Sequence, residues 1–171
     1  MILALTQSDL QPIVNEAITL WSQAGLDAAT VQKLRQAQFV ITDLGGSEVG
    51  ETDGNVIHLD PNAAGNGWFI DPTPASNEEF SASAGTQQLQ AVDPRALDRI
   101  DLLTVVEHEL GHVIGLADNA LAGDLMDVTL GPGVRRTPSA AASRRLAMTA
   151  PSRTTLSTMI NVPTRDRSNA A

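Results

Sequence analysis

The chain has no cysteine and no tyrosine, only three histidines, and 3% aromatic residues among 171 positions. Without cysteine there are no disulfides and no thiolate ligands, so any bound metal must be held by histidine and carboxylate. Long apolar runs are missing too. None approaches the roughly 20 residues of a membrane-spanning helix, and no membrane span is expected. Residues 1–6 lack the basic start and cleavage region of a signal peptide. Either a signal lies upstream of this numbering or the chain is a module of a longer protein. Positive charge is scarce over most of the length: residues 1–130 carry 19 acids against 4 Lys plus Arg, net −15, whereas residues 131–171 carry 7 Arg against Asp166, net +6, which together give the formal −9. The basic stretch reads as a helix and tail lying against an acidic body. It has no aromatic residue for base stacking, so no nucleic-acid partner is expected.

What is present is concentrated at residues 108–118, HELGHVIGLAD. His108 and His112 are four apart, so on a helix both imidazoles project from one face, and two neutral imidazoles make half of a zinc site. Glu109 lies beside them, where a carboxylate reaches a metal-bound water rather than the metal and can serve as general base. Gly115 lets the chain turn out of the helix, and Asp118 then offers a hard anionic oxygen as third ligand. With this composition a random HExxH is expected roughly 0.002 times and the full HExxHxxGxxD roughly 0.00001 times, so coincidence is a poor account of it. The preceding residues 100–107 are amphipathic at helical spacing, with Leu102, Val105 and Val106 apolar and Asp98 or Asp101 placed as N-cap.

These residues resemble the zinc signature of the metzincin metallopeptidases, HExxHxxGxxH or HExxHxxGxxD. The third ligand is similar to the snapalysin-like branch, and the wording before HELGH is matrixin-like. The chain as a whole is also similar to metalloprotease-like modules of large bacterial secreted or surface proteins. The resemblance implies an α+β zincin fold: a twisted mixed sheet with a backing helix and an active-site helix, then a small C-terminal part with a Met-turn and a helix. It implies Met126, in Gly-Asp-Leu-Met-Asp, as the methionine forming a hydrophobic floor under the metal. It implies an edge strand beside the cleft that pairs with an extended peptide, and a substrate-pocket wall after the Met-turn. The function implied is a zinc-dependent endopeptidase acting on protein or peptide substrates, extracellular or at the cell surface, as a monomer or as part of a longer chain. Without cysteine, the cysteine-switch latency of matrixins is excluded. Two further readings keep the fold but change the role: a catalytically silent adhesion or binding module, and a self-processing domain.

Along the rest of the chain, Thr6 or Ser8 caps a first helix in which Leu10, Ile13, Val14, Ala17, Ile18 and Trp21 recur at helical spacing up to Gly25. A short helix over 27–36 follows, then strands over 39–43, 56–60 and 68–71. Residues 75–98 have no clear period and read as a long loop, as do 130–136. Thr137, Pro138 and Ser139 open a helix over 140–148. Residues 1–150 make one catalytic domain, and 151–171, rich in Ser, Thr, Arg and Pro, read as a flexible tail in which only Leu156, Met159, Ile160 and Val162 offer a patch to dock on the sheet.

Several residues compete for roles. His58, Asp124 and Asp127 are alternatives to Asp118 as third ligand, although only Asp118 follows Gly115 at the family spacing. Asp53, Asn55, Asp60, Asn62, Asn66 and Asp71 offer hard oxygens for a structural Ca2+, but turn chemistry accounts for the same residues.

Overall fold

Thr6 opens the first helix: its side chain accepts from the Asp9 N–H while Asp9 accepts from the Thr6 N–H, a reciprocal capping box. This helix, α1 (Gln7–Gln23), buries the six residues whose spacing predicted it and ends before Gly25. In the computed structural model, which describes residues 3–82, 88–148 and 158–163, four helices and nine strands form an α+β fold. Among the described residues no helix is long and apolar enough to cross a membrane.

Asp27 caps α2 (Ala28–Leu34), which turns Leu34 into the core. The chain then lays down β1 (Gln38–Ile41), β2 (Glu48–Asp53) and β3 (Val56–Leu59). β3 is central to these three, parallel to β1 and antiparallel to β2. Alternation sorts its side chains: Ile57 and Leu59 are fully buried on the core face, while His58 stands on the other face opposite Val40 and Glu51. β4 (Trp68–Phe69) pairs in parallel with β7 (Ile100–Asp101).

β7 runs directly into α3 (Leu102–Val113), whose N-cap is Asp101, the second of the two expected candidates. Eleven of the twelve α3 residues are buried. α1 covers one side, where the Trp21 indole N–H donates to the Glu107 carbonyl, and β2 covers another. A helix enclosed this far is held mainly by its apolar side chains, each worth about 1.5–3 kcal/mol when fully buried.

The structure corrects four expectations. β2 has no counterpart among the predicted strands, because its sequence EVGETD is too polar to show alternation by hydropathy alone. Residues 75–98 are not a structureless loop: β5 (Phe80–Ala82) and β6 (Leu89–Ala91) pair antiparallel, and β8 (Val134–Arg135), inside the expected loop 130–136, joins them as third strand. The strand expected over 68–71 is limited to its first two residues. The described part of the tail is also ordered: β9 (Thr158–Asn161) pairs antiparallel with β2, giving the sheet order β1-β3-β2-β9, and Ile160 and Val162 join the core. The remainder of 151–171 lies outside the described residues. The helix expected after Met126, α4 (Ala140–Met148), forms, with the Ala142 N–H donating to Ser139 Oγ.

Of the basic segment, Arg135, Arg136 and Arg145 pair with acidic residues of the body, Arg135 more deeply than surface pairing implies, while Arg153, Arg165 and Arg167 lie outside the described residues. Arg135 is fully buried, with Nε and Nη2 on the two oxygens of Asp101 at 3.0 and 2.8 Å and Nη2 on Asp71 at 2.7 Å. Nη1 donates to the Ser76 carbonyl and to Asn77, and the guanidinium stacks 4.1 Å over Phe80. It therefore fastens the start of α3 from within the protein rather than lining the open side of a cleft. Arg136 pairs with Asp127 at 3.6 Å, and Arg145 with Asp124 at 3.0 Å.

Candidate metal centre

His108 and His112 sit one turn apart near the end of α3, as their spacing requires, with Nε2 atoms 2.9 Å apart. Gly115 has φ +102°, a left-handed conformation that ends the helix and turns the chain back. Asp118 then returns to the two rings, with Oδ1 3.3 Å from His108 Nε2 and 3.2 Å from His112 Nε2. Among the described residues this trio is the one group of three or more His, Cys, Asp and Glu that converges as metal ligands do, and Glu109 is not part of it.

Second partners fix the tautomers. His108 Nδ1 lies 2.8 Å from the Leu125 carbonyl, and His112 Nδ1 lies 2.9 Å from the Leu116 carbonyl. A carbonyl only accepts, so both Nδ1 atoms carry the proton and both Nε2 atoms present lone pairs. Asp118 Oδ1 is buried without a hydrogen-bond donor. Three acceptors thus face one point with nothing between them to donate. The two separations to Asp118, 3.3 and 3.2 Å, equal the edge of a tetrahedron whose centre-to-ligand distances are about 2.0–2.1 Å, about 3.3 Å, and the 2.9 Å between the imidazoles is shorter than that edge. The donor set fits a zinc ion.

The electrostatics agree. Burial resists ionisation of Asp118, yet in the metal-free protein hydrogen bonding and attraction from the two imidazoles, once a proton sits on Nε2, outweigh it and hold the carboxyl well below the ordinary range. Burial likewise disfavours a charged His112, but Asp118 and Glu109 more than offset it and raise its pKa. The centre attracts positive charge, whether proton or metal.

Glu109 is completely buried. Thr52, from β2, donates its hydroxyl to Glu109 Oε2 at 2.6 Å and also approaches the Glu109 carbonyl at 3.2 Å. Oε1 has no partner. Burial pushes the Glu109 carboxyl up, and the two histidines and the Thr52 bond offset only part of the rise. Gly50 makes this approach feasible: a Cβ there would stand 2.7 Å from Oε1. Neither Gly50 nor Thr52 was singled out from sequence. The usable signal was the Asp53-Gly54-Asn55 turn, which flags a hairpin and hence a strand before it.

Met126 lies in a tight turn, with its own N–H and the Asn119 amide both on Asp124 Oδ1, and is fully buried beneath α3. A Cβ on Gly111 would come within 2.6 Å of its sulfur, so the glycine inside HELGH is what lets the methionine pack against α3 at that point of the helix.

The competing ligands are engaged elsewhere. Asp124 binds Asn119, the Met126 N–H and Arg145, while Asp127 binds Thr129 and Arg136. His58 faces away from α3 across the sheet. The six residues considered for calcium do not converge. Asp60 accepts from the N–H groups of Asn62 and Ala64, Asn62 from Gly65, and Asp71 holds Arg135. Asn55 donates to the Gln36 carbonyl, Asn66 to the Ala63 carbonyl, and Asp53 is exposed at the end of β2. Glu107, also unremarked in the sequence reading, is fully buried with neither oxygen hydrogen-bonded. Burial and then Asp101 push its carboxyl well up, against the pull of Arg135.

Set against known proteins, the chain matches no family model, no curated protein and no solved structure. The function must be read from the chemistry of the centre.

Proposed function

We propose that this protein is a zinc-dependent endopeptidase of the metzincin type. The observation that carries the reading is the convergence of three donor-less acceptors, His108 Nε2, His112 Nε2 and Asp118 Oδ1, next to a carboxylate outside the ligand group, Glu109. The surroundings are those the metzincin resemblance implies: a mixed sheet with β2 beside the catalytic helix, and a buried methionine beneath the ligands.

His108, His112 and Asp118 would hold the zinc ion, which when bound would supply Lewis acidity toward a water and a peptide carbonyl. Glu109 takes the proton of the attacking water and returns it to the nitrogen of the departing amine. Thr52 holds Oε2, which leaves Oε1 for that proton and fixes the carboxylate plane. Leu125 and Leu116 keep both imidazoles in the tautomer that ligates.

The test is Glu109→Ala. It should keep one equivalent of zinc and a normal unfolding transition, while hydrolysis of casein and of a broad peptide library falls about 100- to 10,000-fold. Equal hydrolysis in both proteins would sink the mechanism. No hydrolysis at saturating zinc by any form of the protein that keeps Glu109 would favour a silent binding module.

A further inference from the structure

β9 occupies an unusual place. On one edge it runs antiparallel to β2, with Gly50 opposite Ile160, Glu51 opposite Met159 and Thr52 opposite Thr158. The Val162 N–H extends this edge to the Ser47 carbonyl at 2.9 Å. On its other edge it runs parallel to the segment that follows Met126. There the Asn161 N–H donates to the Val128 carbonyl at 2.9 Å, and the Leu130 N–H donates to the Asn161 carbonyl at 3.0 Å. One wall of this slot carries Gly50 and Thr52, the two residues that touch Glu109, and the other leads straight from the Met126 turn. A slot that binds main chain on both edges recognises any extended peptide, and side-chain fit selects among them. Opposite Gly50, which has no side chain, Ile160 is fully buried, and Val162 is nearly so.

We infer that β9 fills in cis, as an internal occupant, the slot that on the peptidase reading receives an extended chain, and that the slot favours aliphatic residues at alternate positions. The inference rests on the peptidase reading for what the groove receives, namely the substrate. Two observations separate it from a plain core strand. β9 covers the edge of β2 at the two positions, Gly50 and Thr52, that meet the wholly buried Glu109 with its unpaired Oε1, so it lies where an incoming chain would have to pair to come next to that carboxylate. And β1, β2 and β3 form a contiguous sheet within residues 38–59, to which β9 is added from about a hundred residues further on, bringing with Val162 just after it two buried residues, Ile160 and Val162, where α3 brings eleven.

The experiment uses the full zinc-loaded chain with Glu109→Gln, to prevent turnover, and a fluorescein-labelled peptide of sequence STMINVP (residues 157–163) read by anisotropy. Asn161→Pro removes the N–H that Val128 accepts, and Ile160→Ala is the milder change. Because the cis strand acts as a competitor, freeing the groove should raise peptide affinity at least about 10-fold over the chain with intact β9, with no gain for a scrambled peptide. Unchanged affinity in both folded variants overturns the inference. So does loss of the cooperative unfolding transition in both, which would make β9 part of the obligatory core. With Glu109 restored, Asn161→Pro should hydrolyse peptides at least about 10-fold faster than the unaltered chain. A gain in affinity without hydrolysis by any form would leave the groove standing and reject the peptidase reading instead.

Discussion

The two ends of α3 carry two clusters of polar and charged side chains, and they are built on opposite terms. At the N-terminal end, Arg135 meets Asp101 and Asp71 within 3.0 Å, with Asn77 and a backbone carbonyl taking its remaining donors and Thr104 bonding Asp101 from within the helix. Donors and acceptors are matched. At the C-terminal end, two imidazole nitrogens and a carboxylate oxygen face one another with no donor among them. A saturated buried network is a fixture, since removing either partner strands the other's charge. A set of acceptors without donors, by contrast, offers lone pairs to a cation, and this group of three could hold a metal ion. The same helix thus shows how to tell a structural cluster from a working one by counting donors rather than charges.

The largest expected effect falls on the saturated end. Arg135→Ala should destabilise the protein by about 3–5 kcal/mol, because Asp71 and Asp101 stay buried without their partner. Urea unfolding measures this. The loss should hardly change with added salt, since the pair is shielded from solvent ions, and a loss that salt abolishes would mean surface pairing. Next comes the incomplete end. Zinc at about 100 times its dissociation constant should add about 2.7 kcal/mol, reversible by chelator. Arg135→Ala should show the same increment, and a missing increment there would mean that the two ends are coupled rather than separate. A smaller effect is expected of Asp118→Asn, which should weaken zinc by at least about 10-fold, or about 1.4 kcal/mol. In chelated protein its unfolding should match the unaltered chain within about 1 kcal/mol. Full zinc affinity in this variant would move the third ligand elsewhere.

The smallest prediction tests a pair that is neither saturated nor ligating. Asp124 is partly buried, and burial raises its pKa, but Arg145, Asn119 and the Met126 N–H more than compensate and leave it lowered from 3.8. A carboxyl with a folded pKa below its unfolded value stabilises fully above the unfolded value and loses that contribution as pH falls through the folded one. Asp124→Asn should therefore cost about 0.5–1.5 kcal/mol at neutral pH, and the difference from the unaltered chain should close as pH drops below 3.8. A difference that persists in acid would assign the cost to geometry instead of charge.

The elements legible in the sequence are those whose signal is local. α1 announced itself by capping and by six apolar residues at helical spacing, α3 by its motif and amphipathic approach, and β3 by alternation. The illegible ones take their stability from partners distant in the chain. β2 is polar but is held between β3 and β9, β5 and β6 pair within a stretch without period, and β9 is four residues whose partner lies about a hundred positions earlier. Arg135 belongs with them: as sequence it was one more basic residue in a basic stretch, and its two carboxylate partners lie 34 and 64 positions away.

For the centre, sequence by itself determined the ligand types, the helical spacing that puts two imidazoles on one face, and the turn at Gly115 that returns Asp118 to them, because all of these are set within eleven consecutive residues. Tertiary structure alone decided which acidic residue stays free to ligate, by occupying Asp124 and Asp127 with Arg145 and Arg136. It also decided how Glu109 is held, by bringing Thr52 and Gly50 against it across 57 and 59 positions. Spacing on one helix fixes direction, whereas hydrogen-bond satisfaction depends on every group that folding brings within about 3 Å, and only the assembled chain specifies that set.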